Sequence, residues 1–234
     1  MQCYCQALPF SYQLSHSRRK TIAIEIRDCE VRVKAPLRTD LHIVCRLLWK
    51  KRDWINDRLE RVTVNAASFG VDVRDGGRLF WLGQALSIRV VSGSRSEIHR
   101  VEDELVVSVG SRVRREPEKV VADQLKKWCR EEAQVYLENR MEHWQQVTGL
   151  RCQEWQLKDY RRRWGSCDNR RRIQLNWRII LADPAAIDYV LIHELCHLEH
   201  FNHSPAFWRL VAEFCPEFKA WKSYFRQRNC WLEW

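Results

Sequence analysis

Residues 183–208 read Asp-Pro-Ala-Ala-Ile-Asp-Tyr-Val-Leu-Ile-His-Glu-Leu-Cys-His-Leu-Glu-His-Phe-Asn-His-Ser-Pro-Ala-Phe-Trp. Asp183 followed by Pro184 is a helix start: a side-chain oxygen able to cap free amides, then a residue with no N–H to leave unpaired. The helix is expected to run to about His200, with an apolar face built from Ile187, Val190, Leu191, Leu195 and Leu198. His193 and His197 leave one side of it a single turn apart, so both rings can grip one ion. Glu194 is displaced by about 100° around the axis, where its carboxylate can reach a water on that ion without being a ligand. Two neutral imidazoles suit zinc, and a catalytic zinc site takes a third protein ligand and keeps one position open.

Two histidines compete for the third place. His200 lies on the same helix, about 10 Å along the axis from His193, in line with the other two rather than closing a tetrahedron. His203 follows Asn202, a residue that tolerates the left-handed conformation of helix ends, and Ser204-Pro205 starts a new helix at once. A chain that stops, reverses and restarts there can swing His203 over the ion, so His203 is the expected third ligand. The interval equals that of the metzincin pattern H-E-x-x-H-x-x-G-x-x-H, but His200 stands where that pattern has glycine, and membership of that clan does not follow. A cluster of ordinary surface histidines leaves unexplained why His193 and Glu194 follow the apolar run Tyr189-Val190-Leu191-Ile192. A purely structural zinc closes with four Cys or His ligands, and Cys196 points away from the two imidazoles.

The chain of 234 residues carries 40 Lys+Arg against 30 Asp+Glu, a net charge of +10, with 45% hydrophobic residues and only 8 Gly and 6 Pro. These proportions exclude collagen-like, linker-like and acidic disordered classes, and they allow one ordinary domain or two small ones. No run approaches the roughly 20 apolar residues of a membrane-spanning helix. The first residues have no positive start followed by an apolar block, so neither a membrane partner nor a secretory signal is expected. Ten cysteines are scattered without a C-x-x-C pair; reduced thiols in a cytoplasmic protein, most of them small buried apolar groups, are the expectation. No feature sets an oligomeric state.

Upstream, Thr21 to Lys34 alternates apolar and polar residues as a hairpin turning at Asp28-Cys29-Glu30. Asp40 to Glu60 has helical spacing, with Thr39 or Asp40 as cap. Asp75-Gly76-Gly77 opens a strand-rich stretch over Leu79 to Val91 and Ile98 to Val109. Beyond Gly110, Glu116-Pro117 begins a long helix through about Val147, ended by Thr148-Gly149. Strands are expected over Glu154 to Tyr160 and Arg172 to Leu181, joined by the basic segment Arg161 to Arg171. The fold class is α+β: residues 1–112 form a β-rich N-terminal region with one helix, and residues 113–234 a helical/β domain that carries the histidines.

Tyr160-Arg161-Arg162-Arg163-Trp164-Gly165-Ser166-Cys167, Ile173-Gln174-Leu175-Asn176-Trp177, the run from Ile187 to Leu198, and Asn202 to Trp208 resemble the YgjP-like metallopeptidase family, a zincin-like group related to the SprT-like proteins. The likeness is specific over residues 160–208 and extends more loosely to Arg18-Arg19-Lys20-Thr21, Trp54-Ile55 and Trp81-Leu82-Gly83. It implies a zincin-like C-terminal domain, one Zn2+ held by His193, His197 and His203, Glu194 as base, and a peptide or protein substrate it does not specify. By analogy with other zincins an extended peptide pairs with an edge strand, for which Arg172 to Leu175 is the candidate, beside the alternative that this segment is an internal strand. Tyr189, Tyr224 and Arg163 are all eligible to stabilise a tetrahedral oxyanion.

The leading function is therefore a zinc-dependent peptidase in which Glu194 takes the proton of a zinc-activated water. A metal-dependent ribonuclease of the YbeY type has three histidines at comparable spacing but lacks the adjacent glutamate. A third reading is a nucleic-acid-binding protein braced by a structural zinc: Arg161, Arg162 and Arg163 with Trp164, followed by Arg170, Arg171 and Arg172, combine cations for phosphate with rings for bases. A solvated hairpin with a positive surface is the plainer account of that segment.

Overall fold

In Glu30–Pro36 (β3) every second side chain, Val31, Val33 and Ala35, is buried, because the strand lies at the centre of a three-stranded sheet. The structure, a computed structural model, describes residues 8–27 and 30–234. Tyr12–Ser17 (β1) pairs with β3 in parallel and Ala23–Arg27 (β2) antiparallel, Ile24 opposite Val33. The expected hairpin is thus β2–β3, its turn lying outside the described residues. Asp40 caps Leu41–Lys50 (α1) by accepting from the His42 N–H at 2.8 Å. The chain then breaks at Lys51 and continues as Arg52–Phe69 (α2), so the single helix expected over Asp40 to Glu60 is two. The break keeps Ile55 and Leu59 on the sheet that Val44 and Leu48 already cover.

The chain divides into two compact units at Phe69/Gly70. In the second, Arg78–Trp81 (β4), Gln84–Gly93 (β5), Glu97–Val101 (β6) and Glu104–Gly110 (β7) form a sheet ordered β4-β5-β7-β6. The division near residue 113 expected from the sequence falls inside this unit, between β7 and the next helix. The β4–β5 turn is Leu82-Gly83, both at positive φ (47° and 80°), a conformation that leucine seldom adopts. It is held there by two hydrogen bonds, Leu82 N–H to Ile180 O at 2.8 Å and Gly83 N–H to Leu181 O at 3.3 Å.

Pro117–Thr148 (α3) starts on proline and stops at Gly149 in the left-handed conformation, as expected. Its buried residues Val121, Leu125, Cys129, Ala133, Leu137 and Met141 recur every four positions. At 100° per residue each step of four overshoots a turn by about 40°, so the apolar seam winds about 200° around the helix over its length. That drift lets one helix pack on β6 and β7 near its start, and also on residues 177–181 and the helix carrying the histidines.

Glu154–Lys158 (β8), Gly165–Cys167 (β9) and Arg172–Asn176 (β10) form a second sheet in the order β8-β10-β9. The strand expected to reach Leu181 ends at Asn176, and Trp177–Leu181 is a 3-10 turn instead. Asn176 is the cause. Its fully buried amide accepts from Arg178 N–H and donates to the carbonyls of Tyr160 (2.8 Å) and Arg163 (3.0 Å). The chain ends with Pro184–Cys196 (α4), Pro205–Phe214 (α5), Phe218–Gln227 (α6) and a short 3-10 turn. The class is α+β, and among the described residues no helix is long and apolar enough to cross a membrane. Cys129, Cys152, Cys167, Cys196, Cys215 and Cys230 are free thiols as expected, whereas Cys45 is disulfide-bonded.

Replacing Asn176 by alanine strands two carbonyls and one amide in the interior. Its expected cost is about 3 kcal/mol of unfolding free energy, read from urea denaturation.

Candidate functional site

Helix α4 is apolar almost all round, with Ile187, Leu191, Leu195 and Cys196 fully buried, as a helix at the centre of a core must be. Asp183 caps it through the Ala185 N–H at 2.9 Å, and Asp188 accepts from Nε and one terminal nitrogen of Arg140 on α3 at 2.9 and 2.6 Å. The helix stops at Cys196, short of the His200 expected, and His197 is its C-terminal cap. His200 supplies its carbonyl: His197 Nδ1–H lies 3.0 Å from that oxygen, which leaves Nε2 as the nitrogen with a free lone pair.

The reversal at Asn202 also differs from expectation. No residue there has a positive φ; instead the Asn202 side chain accepts from the Ser204 N–H at 3.2 Å. Ser204 in turn caps α5 through the Phe207 N–H at 3.3 Å. This Asx turn brings His203 back to the helix, with its Nε2 3.1 Å from Nε2 of His193. One nitrogen from each of His193, His197 and His203 lies within 4.8 Å of the others, a group able to hold a metal ion. Two rings of α5 brace it: Phe207 stacks on His197 at 4.5 Å and Trp208 on His203 at 5.4 Å.

Glu194 follows His193 and lines the same cavity, 5% exposed, and its Oε2 has no hydrogen-bond partner among the described residues. Burial pushes its carboxyl up to about 8, opposed by the charge of Arg163. Burial also pushes His193 down to about 3, helped by His197, His203 and Lys222, so this ring is neutral and its lone pair available. Strand β9 runs directly over the carboxylate: a Cβ on Gly165 would sit 2.6 Å from Glu194 Oε1 and 2.8 Å from its Cδ.

A cavity of about 350 Å³ opens from His193 and Glu194, with Gly165, Tyr189 and Arg163 in its wall. Of the three residues eligible for an oxyanion, Tyr189 and Arg163 are therefore present. Tyr224 is engaged elsewhere, its hydroxyl accepting from the Asp183 N–H at 2.9 Å. Of the two readings left open for Arg172 to Leu175, edge and internal strand, the structure has the internal one, the central strand β10; the strand with an open side next to Glu194 is β9. The sequence does not separate the two, because Ile173 and Leu175, alternating and buried, read the same in an edge strand with one covered face as in a central one. Arg161 and Arg162 are exposed and outside the cavity wall, and Trp164 packs against Phe225 (4.7 Å) and Trp231 (6.4 Å).

Three imidazoles gathered for one ion, beside a desolvated carboxylate and an open cavity, are the equipment of a metal-dependent hydrolase. The family model of the YgjP-like metallopeptidase domain matches residues 20–228, and the chain belongs to that family. No curated protein and no solved structure matches the chain. Family membership carries a hydrolase of the metallopeptidase kind, acting on peptide or protein.

Sequence reasoning passed over Gly165, Phe207 and Trp208, although all three stand in the segments that carried the family likeness. Gly165→Ala is expected to displace the Glu194 side chain and to lower peptide hydrolysis about 100-fold. Bound metal, measured by elemental analysis on the same sample, is expected to stay at the wild-type level because no imidazole moves.

Proposed function

We propose that this protein is a zinc-dependent peptidase in which His193, His197 and His203 hold a single Zn2+ and Glu194 is the general base. The donor set fits the ion: three imidazole nitrogens within 4.8 Å of one another, His197 oriented through its other nitrogen, and no fourth cysteine or carboxylate in the group among the described residues. When bound, zinc polarises the scissile carbonyl and lowers the pKa of water toward about 7. Ionised against its burial by the positive charge of Arg163 and of a bound ion, Glu194 accepts a proton from the attacking water and returns it to the leaving amine. Glu194 lines the cavity, and Gly165 on β9 lies against its Oε1 and Cδ. An extended substrate adds to the open side of β9, its backbone pairing along Gly165 to Cys167.

The observation that carries this reading is the buried, unpartnered carboxylate beside the three imidazoles. A ribonuclease of the YbeY type has no use for it, and a zinc that only braces the fold would not maintain a desolvated acid next to itself.

Zinc content and peptide hydrolysis measured together test the assignment. His193→Ala is expected to lose the metal and the activity. Glu194→Gln is expected to keep the metal and lose about 1000-fold in turnover. Full hydrolysis by Glu194→Gln removes it as the base, and metal-dependent cleavage of RNA in place of peptide moves the protein to the ribonuclease class.

A further inference from the structure

The cavity beside Glu194 is walled by three cations, of which only Arg163 acts on an acid there, Glu194 itself. Arg163 enters it from the loop before β9, and Lys222 and Arg226 from α6. The two on α6 are four residues apart on one face, an arrangement of like charges that weakens a helix unless a counter-charge is supplied. None of the three side chains has an ion pair or hydrogen bond among the described residues. Two of them lie over ring faces, Arg163 over Tyr160 at 5.1 Å and Lys222 over Trp208 at 4.6 Å. Nearby arginines are treated otherwise: Arg172 is paired with Asp168 at 2.7 Å and Arg140 with Asp188 at 2.6 Å. On the other side of Lys222 and Arg226 lies a second cavity of about 530 Å³, which the same two residues line together with Lys219 and Phe218. Glu194 is the only acid in the walls of either cavity.

We propose that this basic wall selects peptide substrates that carry a carboxylate, seating it against Lys222 and Arg226 while the scissile bond lies at Glu194. The inference rests on the peptidase reading above and names the substrate class of the same site. A guanidinium offers paired donors matched to a carboxylate, and walls of low dielectric strengthen the attraction. The apolar stem of an acidic residue finds Trp164 and Phe225 in the same wall. A nucleic-acid phosphate shares the negative charge but also brings bases that need open ring faces. Trp208 is already engaged by His203 (5.4 Å), Phe218 (5.1 Å) and the Lys222 ammonium (4.6 Å), and Trp164 is packed on Phe225.

Two pairs of peptides separate the sources of the carboxylate: Glu against Gln at one position with an amidated C-terminus, and a neutral peptide with its C-terminus free against amidated. In at least one pair the acidic member is expected to be preferred tenfold or more in kcat/KM, the difference lying in KM. The Lys222→Gln/Arg226→Gln double variant is expected to bring that ratio near one, and Lys222→Arg/Arg226→Lys to restore it. Preference in the first pair assigns a side-chain carboxylate, and in the second a terminal one. A ratio under twofold in both pairs, or one that persists in the double variant, overturns the proposal.

The same peptides titrated calorimetrically against zinc-loaded Glu194→Gln, at fixed salt, give a readout independent of turnover. If the wild type cleaves no peptide, the peptidase reading fails. A tenfold ratio of Kd that vanishes with Lys222→Gln/Arg226→Gln still sustains the carboxylate site, whereas a ratio near one ends it. Displacement of the acidic peptide by a lower concentration of single-stranded oligonucleotide overturns it in favour of phosphate.

Discussion

Glu194 is a carboxylate kept out of water with one oxygen unsatisfied, and the elements around it are arranged to bear that cost. Withdrawing a charged carboxylate from water costs several kcal/mol even after relaxation, so the helix that carries it must be anchored by packing on every side. Helix α4 is anchored in that way. Its apolar residues are buried around the whole circumference, and its one other charged side chain, Asp188, is tied to α3 through Arg140. Strand β9 can lie against the carboxylate only because residue 165 has no Cβ.

The imidazoles are placed by two unlike devices. His193 and His197 need only the repeat of the helix. His203 arrives from outside it, through a turn built by Asn202 and a cap built by Ser204, and is held flat by Trp208. Its position is therefore a property of α5, and the packing of that helix on its surroundings sets where the third nitrogen points. The long seam of α3 works at a larger scale. By winding around its own axis it lets one element back both the β4–β7 sheet and the helix of the candidate metal centre.

What could be read in the sequence was local. The start of α4 at Asp183-Pro184, the ends of α3 at Pro117 and Gly149, and the spacing of His193, His197 and His203 each follow from a residue type at a fixed offset, and each stands in the structure. What could not be read depended on partners distant in the chain. Strand β1 buries only parts of Tyr12 and Leu14, too little for a periodic signal, and its parallel pairing with β3 has no turn to announce it. The end of β10 depends on where the amide of Asn176 finds carbonyls 13 and 16 residues earlier. Lys222 and Arg226 read as ordinary solvated helix charges until α6 is seen to line the cavity beside His193.

The Leu82-Gly83 turn has a mechanical consequence. Its two amides are spent on carbonyls of residues 180 and 181, immediately before the cap of α4, and a side chain at position 83 would press to 3.0 Å from the Asp183 backbone. The hairpin tip is thus latched to the threshold of the helix that bears the imidazoles. Chain length between β4 and β5 is pinned for that reason. Any force or fluctuation that peels β4 from its sheet is transmitted through two amides to the root of the reactive helix.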